Sequence, residues 1–334
     1  MKQPLILLLK RVVKRWKILR RIYLKTYHYS VLKKEVIENL NIKEDGIYVD
    51  ATVGYAGHSK EILEKCKKGY LFAFDEDINA IEYSRKVLSS IRDNFQIFKE
   101  NFVNMKNVLN DVDVTKVDGI LFDLGFSSPQ IDDSSRGFSF MVDGPLDMRM
   151  NKDGKICAKD IVNSYSKEKL MQVFYEYGEE KLSKVIANKI YEERKAKEIN
   201  STLELVAIIK KAVGANYFYK RHPERQIFQA IRIEVNKELD VLEKVLPDAI
   251  DLLNKKGRMC VITFHSLEDR IVKKIFKKYS DINSLYKGLP EKEIPDKYKP
   301  KIKIINHKVI IASEKELKEN SRSHSAKLRI IERI

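Results

Sequence analysis

Residues 49–59 read Val-Asp-Ala-Thr-Val-Gly-Tyr-Ala-Gly-His-Ser, and this stretch decides the fold. The apolar run at 46–49 predicts a buried strand before it, and the spacing of Ile62, Leu63 and Cys66 predicts a helix after it. A strand, a tight turn of small residues and a helix can bind a nucleotide, because the N–H groups of the turn approach the ligand closely. The glycine pattern is incomplete, so the stretch alone is also compatible with an ordinary turn.

Acidic residues end the strands that follow this turn. Strands are predicted at 70–75, 95–98 and 117–124. Their alternation with helical patterns indicates a parallel, doubly wound sheet, which binds ligands at the carboxyl ends of its strands. Asp50, Asp75 and Asp123 stand at such ends, and Asn101 and Phe102 follow another strand. Asp75 lies about 20 residues beyond the turn, the spacing at which a carboxylate accepts hydrogen bonds from ribose hydroxyls.

The second half of the chain predicts a helical insert and then a return to the sheet. Helical patterns follow one another without a strand at 161–165, 167–177, 181–195 and 203–213. We expect the sheet to resume at 222–228 and a long helix at 229–253 to kink or restart at Pro247. Further strands are expected at 257–264, 308–312 and 326–331.

The charge balance favours a polyanionic partner. The formal net charge is +16, which points to nucleic acid first and to an acidic membrane surface second, with a lysine-rich genome as the alternative explanation. The cysteines Cys66, Cys157 and Cys260 are isolated, so we expect neither a disulfide framework nor a zinc site, and a reducing cytoplasm fits. No apolar run approaches the length of about 20 residues that spans a membrane, so we expect no integral membrane segment.

Residues 1–27 form a separate basic segment. Its lysines and arginines have no acidic counterpart, and its apolar residues recur at helical spacing, which predicts a basic amphipathic helix. Three interpretations stay open: an RNA-binding arm, a helix that lies on a membrane surface, or an extension without a role.

Four motifs carry a resemblance to a known family. They are Asp-Leu-Gly-Phe-Ser-Ser-Pro-Gln at 123–130, Arg-Gly-Phe-Ser-Phe at 136–140, Gly-Pro-Leu-Asp-Met-Arg at 144–149 and Phe-His-Ser-Leu-Glu-Asp-Arg at 264–270. Together with the turn, they resemble the ribosomal RNA small subunit methyltransferase H family from about residue 28 to residue 333. The resemblance implies a Rossmann-like class I methyltransferase fold and an enzyme that uses S-adenosylmethionine to methylate N4 of a cytidine in the decoding region of 16S rRNA.

The same resemblance implies a cofactor site and a domain division. The cofactor turn falls on Ala56, Gly57 and His58, where alanine replaces the first glycine of the family pattern. Asp75 should hold the ribose and Phe102 should border the adenine, while Asp123 and Gln130 complete the pocket. The implied domains are the arm 1–27, a methyltransferase domain formed by 28–150 and 222–334, and an inserted helical substrate-recognition subdomain at 151–221. Tyr55 and the segment 222–226 are the other departures from the family pattern.

The chemistry of the reaction suggests candidate catalytic residues. The exocyclic amine of cytosine is a weak nucleophile because its lone pair is delocalised into the ring, so catalysis requires an acceptor for its N–H and a line of attack. Asp123, Ser127 and Ser128 are the candidates: we expect Asp123 to serve the cofactor and the Ser127–Pro129 segment to orient the amine. We expect no metal.

Other residues could act on the substrate side or hold the loop. Arg136, Arg149 and His265 are candidates for contacts with the phosphates of the substrate. The alternative for the two arginines is an ion pair with a nearby aspartate of the loop. We expect His58 to shape the start of its helix rather than to act as a base.

Several functional alternatives remain. The enzyme could act on another RNA or on DNA, or the chain could be a non-catalytic RNA-binding factor of ribosome assembly. The expected partner is the small ribosomal subunit, the expected location is the cytoplasm, and a homodimer stays open.

Overall fold

The computed structural model describes residues 30–282, 284–286 and 288–334, so the predicted arm at 1–27 lies outside the described residues. The described residues form a seven-stranded sheet in the order β3-β2-β1-β4-β5-β7-β6. Its strands are β1 (Ile47–Asp50), β2 (Tyr70–Asp75), β3 (Phe95–Lys99), β4 (Val117–Asp123), β5 (Leu253–Thr263), β6 (Ile302–Ile304) and β7 (Lys327–Arg333). Strands β1 to β5 are parallel, whereas β7 runs antiparallel to both β5 and β6. The predicted fold class is therefore confirmed.

Helices cover both faces of this sheet. They are α1 (Lys33–Asn39), α2 (Gly57–Lys65), α3 (Ile78–Ser89), α4 (Met105–Asn110), α5 (Ser128–Asp132), α6 (Ala158–Ser164), α7 (Lys167–Glu176), α8 (Ser183–Ala196), α9 (Thr202–Val213), α10 (Ala215–Arg221), α11 (Pro223–Asn236), α12 (Glu238–Leu252), α13 (Ser266–Ser280) and α14 (Glu314–Glu319). In β1, Val49 packs in the layer of α4, α12 and α13, whereas its neighbour Tyr48 packs in the layer of α1, α2 and α3. Because both faces are buried, the strands read as continuous apolar runs.

Helices α6 to α11 build a third apolar cluster. The four helices predicted for the insert are confirmed as α6 to α9. Ser201 caps α9 in a capping box, since its hydroxyl accepts the N–H of Glu204 and its own N–H donates to the Glu204 carboxylate. The cluster also buries Phe138 and Met148 of the loop after β4, so this loop packs on the helices. The boundaries 151–221 stay a prediction.

The expected return to the sheet at 222–228 is wrong, because these residues begin α11. Pro223 occupies the first turn of that helix, where its missing N–H leaves no hydrogen bond unmade and its fixed φ suits the helix. The predicted restart at Pro247 is also wrong: the helix breaks at Lys237, whose φ is 52°, and α12 continues through the proline.

The expected strand at 308–312 is reduced to a single bridge between Ile310 and Leu328. The edge strand is instead the short β6, and β7 confirms the strand predicted at 326–331. Within the described ranges, no helix has both the length and the apolar character needed to cross a membrane.

Candidate active site

A cleft with a volume of about 530 Å³ lies at the carboxyl ends of the central strands and is bordered on one side by α11 of the helical unit, which comprises helices α6 to α11. Seven residues predicted for the site line it: Gly57, His58, Asp75, Phe102, Asp123, Ser127 and Gln130. Ala56 is buried directly behind the turn and is not among the lining residues. Ser128 begins α5, and its side chain lies outside the part of the chain that the structure describes.

The turn before α2 keeps its shape despite the alanine. Ala56 has a φ of 63°, in the left-handed region that glycine adopts more easily, so the alanine strains the backbone by about 1 kcal/mol. Its carbonyl accepts the N–H of Lys60, which starts the helix and leaves the preceding N–H groups without intrahelical partners. A Cβ at Gly57 would lie 1.8 Å from the Ser30 hydroxyl oxygen, so a larger residue there would require the Ser30 side chain to move. The turn therefore still offers donors to an anionic group.

Tyr55 lies in the wall of the cleft and packs against α3. Its ring centroid is 5.0 Å from that of Tyr83, with an angle of 52° between the planes. The large Tyr55 side chain, by which this turn departs from the family pattern, is thus packed against another aromatic ring.

Asp75 ends β2 with its carboxylate held by the backbone. One oxygen accepts the N–H of Gly54 at 2.9 Å and the other accepts the N–H of Asp77 at 2.8 Å. Burial raises the pKa of Asp75 to about 7, although both N–H groups oppose the shift. Because a carboxylate offers about four lone-pair directions, two remain for a ligand that donates hydrogen bonds.

Phe102 follows β3 and borders the same part of the cleft. It packs edge-on against Phe122 of β4, with 5.6 Å between the ring centroids. Asn101 caps the short turn that carries Phe102, because its side-chain oxygen accepts the N–H of Val103 at 2.9 Å. The ring is therefore fixed on the wall next to Asp75.

Asp77 is a buried carboxylate that binds two side chains of the loop after β4, a role that the sequence did not reveal. Arg136 donates to its carboxylate at 2.5 Å, and Gln130 donates to the same oxygen at 3.0 Å. Burial alone would raise the pKa of Asp77, but these two partners bring it below its usual value. The other guanidinium nitrogen of Arg136 donates to the carbonyls of Arg149 and Met150. Arg136 therefore holds the loop after β4 in place, and its ion-pair partner, Asp77, lies outside that loop.

Gln130 and Arg149 are also engaged in the loop. The side-chain oxygen of Gln130 accepts the N–H of Ser127 at 2.9 Å, so this glutamine links the loop to the end of β2 through Asp77. Arg149 forms a two-pronged ion pair with Asp147, with both hydrogen bonds at 2.8 Å. Arg149 therefore forms the ion pair with a loop aspartate that the sequence offered as the alternative to a phosphate contact.

Asp123 ends β4 beside a buried histidine. Nε2 of His58 donates to the carbonyl of Val31 at 3.0 Å, and burial lowers the pKa of this imidazole to about 4, so it is neutral. Its unprotonated Nδ1 lies 3.5 Å from one Asp123 oxygen. Burial, followed by the charges of Asp50 and Glu268, raises the pKa of Asp123 well above its usual value. A protonated Asp123 can donate to that nitrogen, whereas a carboxylate would face it lone pair to lone pair.

The opposite wall of the cleft is aromatic. Phe126 and Phe138 of the loop stack with centroids 5.5 Å apart, and Phe140 meets Phe228 of α11 edge-on at 5.8 Å. Arg232 lies over the Phe126 ring at 4.5 Å.

The contribution of α11 to the cleft was missed because residues 222–228 were assigned to the sheet. Arg225, Phe228, Gln229 and Arg232 all line the cleft from this helix. The proline at position 223 was the available signal, since proline is common in the first turn of a helix. His265, predicted for the substrate side, also lines the cleft at the start of α13.

Comparisons with known proteins identify the family. The sequence model of the MraW methylase family matches residues 25–334. The ribosomal RNA small subunit methyltransferase H of Finegoldia magna is 50% identical over 313 residues, covering 92% of this chain and 98% of that protein. The protein of the same name from Streptococcus mutans is 49% identical over 312 residues, with the same coverage.

Two solved structures share a weaker likeness. An rRNA methylase from Streptococcus thermophilus has a TM-score of 0.38 at 11% identity and covers 90% of this chain and 93% of that one. TrmN from Thermus thermophilus has a TM-score of 0.42 at 9% identity, with 94% and 53% covered. The strand order of the sheet, and not these TM-scores, accordingly defines the fold. The family model and the two close relatives show that the chain belongs to the MraW methylase family and is a methyltransferase.

Proposed function

We propose that the enzyme transfers the methyl group of S-adenosylmethionine to N4 of a cytidine in the decoding region of 16S rRNA. The observation that carries this proposal is the composition of the cleft, which joins an acidic sheet edge to an aromatic wall. The names of the relatives support the small ribosomal subunit as the substrate. Such a substrate would put the enzyme in the cytoplasm.

The sheet edge fits the cofactor. The free lone pairs of Asp75 suit the two ribose hydroxyls, and Phe102 suits the adenine beside them. An oxygen of Asp123 is buried without a hydrogen-bond partner among the described residues, so this edge has an unused acceptor. The N–H groups at the start of α2 suit the carboxylate of the methionine part. When bound, the sulfonium group supplies an activated methyl carbon.

The aromatic wall fits the target base. Phe126, Phe138, Phe140 and Phe228 offer apolar faces on which a cytosine can stack. The base must leave its neighbours in the RNA to enter the cleft, and an unpaired segment of rRNA reduces the free-energy cost of this step. Phe228 comes from α11, which lies just beyond the subdomain predicted at 151–221, so the proposed substrate side of the cleft includes this following helix.

Ser127 is the best placed acceptor for the amine. Its hydroxyl oxygen is buried at the cleft and faces the backbone N–H of Gln130 in a capping box, but without a hydrogen bond of good geometry within the described ranges, so it can accept from a ligand. Gln130 fixes the backbone of this residue, so the hydroxyl is held at a constant distance from the sheet edge. An N4 hydrogen bond to Ser127 would direct the nitrogen lone pair at the methyl carbon and lower the barrier through positioning.

The decisive experiment is methyl transfer from tritiated S-adenosylmethionine to naked 16S rRNA and to assembled small subunits, followed by nucleoside analysis. We expect the label in N4-methylcytidine. Label only in another nucleoside, another RNA or DNA would refute the proposed substrate, and RNA binding without transfer would indicate an assembly factor.

Two variants test the division of roles. Ser127→Ala should lower kcat and leave the affinity for S-adenosylmethionine unchanged, with Ser90→Ala on the exposed end of α3 as the matched control. Asp123→Ala should weaken cofactor binding, because it removes the unused acceptor. If Asp123→Ala abolished turnover at unchanged cofactor affinity, the assignment of Asp123 to the cofactor would be wrong.

A further inference from the structure

We propose that His265 accepts the proton that the target amine releases, an inference that rests on the proposed amine methylation. The N4 lone pair forms a bond to the methyl carbon while the carbon–sulfur bond breaks, and the electron pair of that bond remains on sulfur. The sulfonium thereby becomes a neutral thioether, and N4 must lose one of its protons. A base at the cleft completes the balance by taking that proton and passing it to solvent.

His265 lies at the end of β5, where the substrate side of the cleft meets the sheet. It follows β5, whose Ile262 is paired with Asp123 of β4 and accepts the N–H of Leu124 at 3.1 Å. The loop that carries Ser127 leaves the sheet at the same place, and both His265 and Ser127 line the cleft. Because the ends of β4 and β5 are neighbours, a target amine held by Ser127 would lie near the strand end that carries His265.

The imidazole of His265 is buried beside Glu268. Only 9% of its side chain is exposed, and although Nε2 lies 3.2 Å from a Glu268 oxygen, neither ring nitrogen has a hydrogen bond of good geometry within the described ranges. Buried imidazoles normally satisfy both nitrogens, so this side chain has capacity for a ligand. His58, the other histidine of the cleft, differs because its Nε2 is occupied by Val31 and its pKa is lowered to about 4.

Glu268 orients this imidazole. One oxygen of Glu268 lies 3.2 Å from Nε2 of His265, and the other accepts the N–H of Phe264 at 2.7 Å and that of His265 at 3.3 Å. Glu268 is 2% exposed, so its charge acts with little screening by water. Burial alone would raise the pKa of Glu268, but His265 and the N–H of Phe264 bring it below its usual value, which means that a carboxylate faces the ring.

Further charged groups surround this pair. Glu238 at the start of α12 lies close to His265 and Glu268. One carboxylate oxygen of each glutamate and one ring nitrogen of His265 all lie within 4.8 Å of one another. Arg232 of α11 binds both oxygens of Glu238, at 2.8 and 2.9 Å. Glu179 of the helical unit contacts Ser266 and Arg270 at the start of α13.

Charged groups of both signs surround the position that the transferred proton would take. Glu268, Glu238 and Glu179 would stabilise the positive charge that the proton brings, whereas Arg232 would oppose it. A metal ion is a poorer occupant of this position, because it would have to displace Arg232 from Glu238.

The test compares His265→Gln with the wild type in the dependence of kcat on pH. The control is His307→Gln, which changes an exposed histidine that does not line the cleft. We expect His265→Gln to lower kcat by about 100-fold or more and to abolish the decline of kcat on the acidic side, while S-adenosylhomocysteine binds as before. Wild-type kcat with the acidic decline retained would overturn the inference and leave the proposed function intact.

Glu268→Gln is the second variant and covers the case in which His265→Gln does not fold. Without the Glu268 charge, the imidazolium is less stable, so the acidic decline of kcat should move to lower pH. An unmoved decline would overturn the inference, as would activity that a chelator abolishes and zinc restores. A wild-type enzyme that methylates no small-subunit RNA would instead refute the proposed function.

Discussion

Asp75→Asn should weaken the binding of S-adenosylmethionine by about 100-fold or more. Each Asp75 oxygen already accepts one backbone N–H, from Gly54 or from Asp77, and each has a further lone pair for a ribose hydroxyl. An asparagine amide group would replace one of these acceptors and would point a donor at a backbone donor. Hydrogen bonds to a charged acceptor contribute about 1.5 to 3 kcal/mol each, so the loss of one of them, together with the loss of the charge that strengthens the other, costs about 3 kcal/mol.

The same residue predicts how cofactor binding depends on pH. The pKa of Asp75 is about 7 in the free enzyme, and ribose hydroxyls bind the carboxylate form more strongly. The affinity should therefore fall by up to about tenfold for each pH unit below about 7, and Asp75→Asn should remove this dependence. The stability of the free enzyme changes in the other direction. Because folding raises this pKa, the associated stabilisation is lost as the pH rises through about 7, so the free energy of unfolding of the wild type should fall with pH up to that point and Asp75→Asn should lack this fall.

Isothermal titration calorimetry between about pH 6 and pH 8, combined with urea unfolding of the free proteins, measures both effects. Glu82→Gln is the matched control, because Glu82 is an exposed carboxylate of α3. Binding by Asp75→Asn that matches the wild type, with the same dependence on pH, would refute the assignment of Asp75 to the ribose.

Three further predictions concern stability and RNA binding. Asp123→Asn copies the protonated side chain, so its Tm should exceed that of the wild type by a few degrees at alkaline pH, a difference that shrinks in acid; an equal difference at every pH would contradict a raised pKa. Arg136→Met leaves Asp77 buried without its partner and should lower the free energy of unfolding by about 3 to 5 kcal/mol in urea titrations, whereas a loss below about 1 kcal/mol would contradict the buried pair. Deletion of residues 1–26 should reduce the salt dependence of RNA affinity, and an unchanged slope would argue against phosphate contacts by the arm.

The sheet and its acidic edge could be predicted because local sequence encodes both. The parallel strands β1 to β5 are visible in the sequence as apolar runs, and parallel strands bring their carboxyl ends to one edge whatever lies between them. Asp75 and Asp123 could thus be placed at a common cleft, and both line it. The parallel, doubly wound sheet followed from the alternation of strands and helices, whereas the Rossmann-like methyltransferase fold was implied by the family resemblance.

The missing features depend on contacts between distant parts of the chain. Arg136 binds Asp77, which lies 59 positions earlier, and neither residue carries a local signal of that pairing. The entry of α11 into the cleft was hidden by the apolar Ile227 and Phe228, which match a short strand as well as a helix. Periodicity cannot separate these alternatives, whereas proline at position 223 could have done so.

The position of β7 has a consequence for how the chain folds. This strand follows β6 in the sequence but lies between β5 and β6 in the sheet, so β6 has no neighbour to pair with until β7 is in place. During synthesis, the edge of β5 therefore remains unpaired while the residues up to β7 are made. An open strand edge can pair with another chain, and this exposes the nascent protein to aggregation. Changes that weaken β7 should accordingly reduce the yield of folded enzyme more than its specific activity.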